Sequence, residues 1–346
     1  MENHYFSLEL KSDCGKMTKK YSFPYEMRDL TDEEKDILSY WPEEIFKLIG
    51  TRTCCPIGFK GIAEDILNFK PRPDDIWLIG YPRAGTSLTQ EILYLLGTDL
   101  NYEKAASTIM DIRFPVLHCG QRPNSEFEKI LGAPPHLYLE NTREKRFIKS
   151  HYGFNLLHPE ILDIGCKVIF IARNPKDNIC SVARFPFFAN VPGFNFKKLW
   201  NTIEHDLLPF GNYFEMLQEA WERRNNKNLL ILYYEEINKD KKAAVLKIAD
   251  FLGKKLTDDQ LQTLLKHIDI DNFKKNKSLN NDHLVESGFF GKDDKSSFIR
   301  QGKDGGWRND IPEELVAEID HWIKNNFQSI PDVDIIEQWK LAMDLK

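Results

Sequence analysis

Four short, uninterrupted apolar runs constrain this chain more than any other feature: Ile76-Trp77-Leu78-Ile79, Phe147-Ile148, Val168-Ile169-Phe170-Ile171-Ala172 and Leu229-Leu230-Ile231-Leu232-Tyr233-Tyr234. A strand with one wet face alternates apolar and polar residues. These do not, so they read as strands buried on both faces, the signature of a parallel sheet covered by helices. Helical patterns come after them. Leu88, Ile92, Leu95 and Leu96 share one face, with Gly97 placed to end the helix. Val245, Ile248, Ala249 and Leu252 repeat the pattern before Gly253. Thr257-Asp258-Asp259-Gln260 forms a capping box ahead of Leu261, Leu264 and Leu265, and Pro312 opens a last helix with Leu315, Val316, Ile319, Trp322 and Ile323. Strands alternating with helices, without a linker or an internal repeat, predict one α/β domain, a parallel sheet flanked by helices, over residues 26–346. Residues 1–25 read as a flexible, polar N-terminal segment.

The composition narrows the function. Apolar residues make up 42% of 346, enough for a sizeable core. Lys and Arg number 47 against 53 Asp and Glu, a net charge of −6. With no cationic excess to displace counterions, the chain is not expected to bind nucleic acid, although local sites for small anions remain open. The N-terminus Met1-Glu2-Asn3-His4 lacks the basic and apolar regions of a secretory signal, and no apolar run approaches the roughly 20 residues that span a bilayer. Cys14, Cys54, Cys55, Cys119, Cys166 and Cys180 have no metal-binding spacing, so reduced thiols and no metal are expected. These features together predict a cytoplasmic protein without membrane insertion. Asn276-Lys277-Ser278 fits a glycosylation sequon but carries no weight without a secretory route.

The first chemistry-bearing motif is Gly80-Tyr81-Pro82-Arg83-Ala84-Gly85-Thr86-Ser87, between the first strong strand and the first strong helix. A glycine-bounded turn at a helix N-terminus gathers backbone N–H groups and the positive end of the helix dipole, which suits a phosphate. The lysine of a nucleotide-triphosphate loop is missing after the second glycine, and the cation is Arg83 instead. Such a loop fits a phosphate ligand without a γ-phosphate and argues against a kinase. An ordinary tight turn is the plain alternative for these eight residues.

Two further elements match an anion. Arg173 ends the strand Val168–Ala172, at the sheet edge where open α/β folds bind ligands, and Ser181 lies two helical turns on; a guanidinium fork and a hydroxyl suit a phosphate. Phe298-Ile299-Arg300-Gln301-Gly302-Lys303-Asp304-Gly305-Gly306-Trp307 is a basic, glycine-rich loop. Taken singly, each reads as solvated surface. Lys149 and His151, in Arg146-Phe147-Ile148-Lys149-Ser150-His151, close another strand, and an imidazole with an ordinary pKa near ~6.5 can accept a proton at neutral pH.

Taken in order, these elements resemble the cytosolic sulfotransferases over nearly the whole chain from about Phe23. Tyr81-Pro82-Arg83-Ala84-Gly85-Thr86-Ser87-Leu88 is similar to the family's Tyr-Pro-Lys-Ser-Gly-Thr-Thr-Trp. Arg173-Asn174-Pro175-Lys176-Asp177 with Ser181 resembles its 3′-phosphate element, and Arg300-Gln301-Gly302 with Trp307 its second phosphate clamp. The resemblance implies a P-loop-like sulfotransferase fold. It implies 3′-phosphoadenosine-5′-phosphosulfate (PAPS, leaving PAP) as donor, held by Arg83, Ala84, Gly85, Thr86, Ser87, Leu88, Arg173, Ser181, Tyr234, Arg300, Gln301 and Gly302. It also implies His151 as general base, with Lys149 and Arg83 stabilising charge on the leaving phosphate.

The chain departs from the family pattern in several places. Arg83 replaces the loop lysine, and Leu88 stands where an adenine-stacking Trp is usual. Ile268 and Ile270 take the places of adenine-contacting residues, with Phe273 as a substitute and Tyr234 matching. The dimer motif is absent after Trp307, so a homodimer is left open. Arg83 and Leu88 are similar to insect members, including the sulfotransferase-like retinol dehydratase.

The acceptor is expected to be a small hydrophobic or phenolic alcohol. Its walls would come from residues 105–140, 185–196 and 283–299, with Phe114, Phe188 and Phe289 as candidate contacts. A dehydratase acting on an allylic alcohol such as retinol through a transient sulfate ester is the alternative on the same fold. A non-catalytic carrier of hydrophobic ligands is a further one.

Overall fold

The structure is a computed structural model that describes residues 7–11, 17–118, 125–185, 191–280, 282–286 and 304–328, with the single positions 337 and 340. Three sheets form. The first pairs β1 (Ser7–Lys11) with β2 (Met17–Tyr21), antiparallel. The second is antiparallel too, in the order β3 (Met27–Asp29), β4 (Ile45–Leu48), β5 (Cys54–Pro56). The third is the central sheet. It holds β6 (Ile76–Gly80), β7 (Phe147–Ser150), β8 (Lys167–Ala172) and β9 (Leu229–Tyr233), ordered β7-β6-β8-β9 and parallel throughout. The expected α/β architecture is therefore the observed one.

The sheet is buried on both faces because its strands are apolar at both parities. Trp77, Ile79, Ile148, Val168, Phe170 and Ala172 face one core layer; Ile76, Leu78, Phe147, Ile169, Ile171 and Leu232 face the other. The helices that cover the sheet are α1 (Thr86–Gly97), α2 (Pro175–Ala183), α3 (Phe196–Glu204), α4 (Tyr213–Glu222), α5 (Tyr234–Lys239), α6 (Lys241–Phe251), α7 (Asp258–His267) and α8 (Glu313–Gln328). Leu199 and Trp200 of α3, Leu217 and Trp221 of α4 and Ile319 and Trp322 of α8 fill the first layer. Leu93, Val245, Ile248, Leu261 and Leu264 from α1, α6 and α7 fill the second.

Local sequence signals end up where the chemistry directs them. Thr257 caps α7 through the reciprocal bond with Gln260, and Gly253 ends α6's region at φ +67°. Gly97 ends α1 as expected, and it has a packing role as well. A Cβ there would stand 2.6 Å from the Phe147 ring, so glycine lets α1 approach β7. The apolar run from Leu229 breaks one residue early: Tyr233 ends β9 and Tyr234 opens α5. Within the N-terminal segment, Tyr21 is buried, its N–H donating to Asn68 Oδ1 at 2.8 Å and its hydroxyl to Glu160 Oε1 at 2.7 Å.

One ion pair clamps the end of the sheet where its strands begin. Arg146 donates to Asp75 from Nε at 2.7 Å and from a terminal nitrogen at 2.6 Å; the two are 2% and 0% exposed. Their backbones join the same corner, Ile76 N–H donating to Arg146 O and Lys167 N–H to Asp75 O. Removing one member of a buried pair strands the other charge. Asp75→Asn should therefore cost about 3–5 kcal/mol in chemical denaturation. A loss below about 1 kcal/mol would show that this corner is hydrated.

Candidate active site

The four central strands end at one level. Ile79 pairs with Ser150, Gly80 with Ile171 and Ala172 with Tyr233, so the chain leaves every strand along one edge of the sheet. The Tyr81–Ser87 loop, His151, Arg173 and Tyr234 all stand at that edge. β6 and β8 are neighbours, and the chain leaves β6 toward β7 but β8 toward β9, the divergence that opens a crevice at strand C-termini.

The loop is a cradle shaped by two residues in the left-handed region, Arg83 at φ +69° and Gly85 at φ +103°. A side chain on Gly85 would strike the Tyr234 ring, and one on Gly80 would stand 2.8 Å from Ile171 O. Ala84 is fully buried, Thr86 opens α1, and Ser87 and Leu88 are half-buried in its first turn. Gly85 precedes α1 and offers no side-chain cap, so the first-turn N–H groups are left for a ligand. Asn178 on α2 holds the loop from outside, donating to Pro82 O at 2.9 Å.

Arg83 and Arg173 meet at this loop. Arg173 donates to Arg83 O at 3.2 Å and stacks over Tyr234 with 4.6 Å to the ring centre; its Nε is buried with no hydrogen-bond partner among the described residues. Arg83 Nε donates to Ser181 Oγ at 3.2 Å, and its guanidinium lies 5.1 Å from the Phe185 ring. Burial, then the charge of Arg173, hold Arg83 down to about 10, still cationic at neutral pH. Asn174 caps α2 and its N–H donates to Glu235 Oε1 at 2.8 Å, while the Tyr213 hydroxyl donates to Arg173 O. Burial pushes Glu235 up to about 7. Ile268 and Phe273 are buried in the core layer against which Leu88 packs.

Arg300, Gln301, Gly302, Phe188 and Phe289 lie outside the described residues. The chain just after the third motif does reach α2: Asp177 accepts from Gly305 N–H at 2.6 Å and from Trp307 N–H at 3.0 Å. Lys176 lies 3.8 Å from the centre of the Trp307 ring, and Asp304 accepts from Asn238 on α5. Phe114 is fully buried and packs against Phe147, 5.5 Å between ring centres, in the core layer on the α1 side of the sheet. Its ring fills that layer.

Lys149 and His151, two residues apart, leave the strand end on the same side. His151 Nδ1 lies 2.6 Å from Gly80 O, the carbonyl that begins the loop. A carbonyl only accepts, so Nδ1 carries the proton and Nε2 keeps its lone pair. Burial, then Lys149 and His118, hold His151 well below its ordinary value, so it is neutral at pH 7. Lys149 Nζ donates to Gln90 Oε1 at 3.2 Å, and Gln90 in turn donates to Phe114 O at 3.1 Å.

Sequence reasoning passed over Gln90, Asn178, Asp177 and His118, each of which holds or faces this site. Asp177 stands in a quoted motif without a role, with Asn178 directly after it; Gln90 and His118 carry no local signal. A small polar recess lies next to the site, bordered by Tyr152, Phe210, Thr53, Asn212, Glu215 and Glu219. Glu219, which burial raises to about 8, accepts from Asn155 N–H at 3.0 Å and so fixes the loop after His151. Among the described residues no cluster of metal ligands occurs, and no helix is long and apolar enough to cross a membrane.

Comparison with known proteins agrees with this geometry. A family model described as a sulfotransferase domain matches residues 73–331. Luciferin sulfotransferase of Photinus pyralis is 32% identical over 306 residues, covering 84% of this chain and 82% of its own. Sulfotransferase 4A1 of Mus musculus is 34% identical over 210 residues, 60% of this chain and 70% of its own. The crystal structure of retinol dehydratase in complex with androsterone and the inactive cofactor PAP superposes with a TM-score of 0.82 at 32% identity, covering 90% of this chain and 98% of that one. A family model spanning most of the chain, on a sheet whose strand ends gather this loop and these side chains, establishes that the chain belongs to the sulfotransferase family.

Proposed function

We propose that this enzyme moves a sulfuryl group from PAPS to the hydroxyl of a small hydrophobic or phenolic acceptor. The observation that carries the reading is the bond from His151 Nδ1 to Gly80 O, which presents an unprotonated Nε2 beside the phosphate loop. The buried Nε of Arg173, without a hydrogen-bond partner among the described residues, and the glycine cradle at Gly85 fit a phosphorylated nucleotide. The loop N–H groups, Arg83, Arg173 and Ser181 would hold its phosphates, with Arg300, Gln301 and Gly302 completing the clamp and Tyr234, Leu88, Ile268 and Phe273 around the adenine. When bound, the donor supplies the activated sulfuryl group.

The chain's own residues do the rest. His151 Nε2 takes the proton from the acceptor hydroxyl, and Nδ1–H···O=C to Gly80 stabilises the imidazolium that results. Lys149, oriented by Gln90, and Arg83 place positive charge where negative charge develops on the leaving group. Arg83 is a poor proton donor, so its part is electrostatic. The 32% identity to retinol dehydratase, also solved with retinol and PAP, supports the alternative that the sulfate ester of an allylic alcohol forms and then eliminates. Product mass separates the two, a stable ester or a dehydrated alkene.

Three outcomes are expected. His151→Ala should cut turnover with a phenol panel on the order of 100-fold or more while leaving PAP affinity within about twofold; residual turnover near wild type would remove His151 from the base role. Because protonation disables the base and His151 sits well below its usual value, kcat/KM should hold as pH falls through ~6.5 and drop only in stronger acid. A half-maximal rate at or above ~6.5 would contradict that assignment. Gly85→Ala puts a Cβ into the Tyr234 ring on a left-handed backbone, so PAP binding by calorimetry should weaken at least about tenfold; unchanged affinity would place the nucleotide elsewhere.

A further inference from the structure

Beside His151 stands a second imidazole. His118 ends the run Phe114-Pro115-Val116-Leu117-His118, held to β7 by Leu117 N–H donating to Lys149 O at 2.9 Å. Its ring lies 6.1 Å from that of His151 and 4.2 Å from that of Tyr152, centre to centre. The residue is 4% exposed, and neither ring nitrogen has a hydrogen-bond partner among the described residues. Burial, then Lys149, push it down to about 3, so it is neutral and carries one N–H donor and one lone pair.

A buried imidazole with both nitrogens unbonded is unfavourable, and proteins keep such groups where a partner arrives from elsewhere. The other members of the cluster do not supply it. His151 Nδ1 is taken by Gly80 O, and Lys149 Nζ is turned to Gln90. An oxygen about 2.8 Å from one nitrogen of each ring fits between imidazoles 6.1 Å apart. A hydroxyl meets both demands at once: its proton goes to His151 Nε2 and its oxygen accepts from His118. The rings nearby, Tyr152 and Phe210, the latter 6.2 Å from His151, are suited to a flat apolar body behind that oxygen.

We infer that His118 is a second acceptor-binding residue, donating its N–H to the reacting oxygen of an aromatic alcohol whose proton faces His151. This rests on the proposed sulfuryl transfer for the identity of the reaction, but the binding contact can be read on its own. The hydrogen bond fixes the oxygen against rotation, so that one lone pair is held toward the donor side of the crevice.

The test uses 2-naphthol as probe on the full chain, in three variants. His118→Phe keeps the ring volume and the stack on Tyr152 but removes both nitrogens. His118→Asn and His118→Gln return an amide donor near the position of one nitrogen or the other. Calorimetry of 2-naphthol in the presence of PAP should show about tenfold weaker binding for His118→Phe and recovery to within about threefold for one of the amides, with PAP affinity unchanged. KM should move with binding, and kcat should fall as well. Wild-type affinity in His118→Phe overturns the inference, as does a wild type that takes up no 2-naphthol. Loss of PAP affinity in all three variants also overturns it, by making His118 a packing residue. If binding responds as expected but wild type transfers no labelled sulfuryl group to 2-naphthol, the contact stands and the transfer reading falls. If transfer proceeds and His118→Phe matches wild type, only this inference falls.

Discussion

The hydrogen bond between His151 and the carbonyl of Gly80 joins everything this chain does to the way it folds. It exists because β6 and β7 are parallel neighbours in a fixed register, Ile79 opposite Ser150, so the residue after each strand end emerges beside the other. A slip of one residue would turn Lys149 and His151 to the opposite side and bring a different carbonyl to the imidazole. The parallel ladder of β6 against β7 and β8 holds this register, and through it decides which carbonyl meets the imidazole.

Charge is arranged in the opposite sense to burial. At the beginning of the strands the cation Arg146 is neutralised by Asp75 in bidentate contact, and the pair closes the corner. At their ends Arg83 and Arg173 stand beside each other at a loop rich in N–H donors, where the charge of Arg173 disfavours that of Arg83. Nearby carboxyls are turned to structural tasks: Glu235 accepts from Asn174 N–H, and Asp177 from Gly305 and Trp307. Two guanidinium groups held side by side at such a loop suit the phosphorylated donor of the proposed transfer.

The sheet and the loop were legible in the sequence because each derives from a local rule. Continuous apolar runs mean two-sided burial, and glycines at Gly80 and Gly85 mark a backbone that a side chain would obstruct. The features that escaped depend on contacts distant in sequence. Gly97 reads as a helix stop, and so it is, but its second task, making room for the Phe147 ring, has no local signal. Phe114 reads as a candidate ligand contact, and its packing on Phe147 follows from the return of the chain to β7. The boundary between Tyr233 and Tyr234 is invisible in six consecutive apolar residues. His118 has no motif around it; only the backbone pairing of Leu117 with Lys149 brings it to His151. Arg300, Gln301 and Gly302 are read from sequence alone; of that motif the described residues include Asp304 to Trp307, with Gly305 and Trp307 anchored on α2.

In the proposed transfer, Arg83 in place of the family's usual loop lysine shifts proton handling onto the strand end. A guanidinium that remains charged at about 10 can stabilise negative charge on a leaving phosphate but does not hand over a proton near neutrality. Its left-handed backbone and its bond to Ser181 also commit its direction before any ligand arrives. Proton traffic then belongs to the β7 end, where His151 starts neutral and Lys149 is held by Gln90. Separating the two tasks has a physical advantage. In the proposed transfer the loop acts as a fixed positive cradle, while burial, then Lys149 and His118, keep the imidazole unprotonated, with Arg83 the smallest contribution. Loss of the Lys149 charge would raise the tendency of His151 to take up a proton before its substrate arrives.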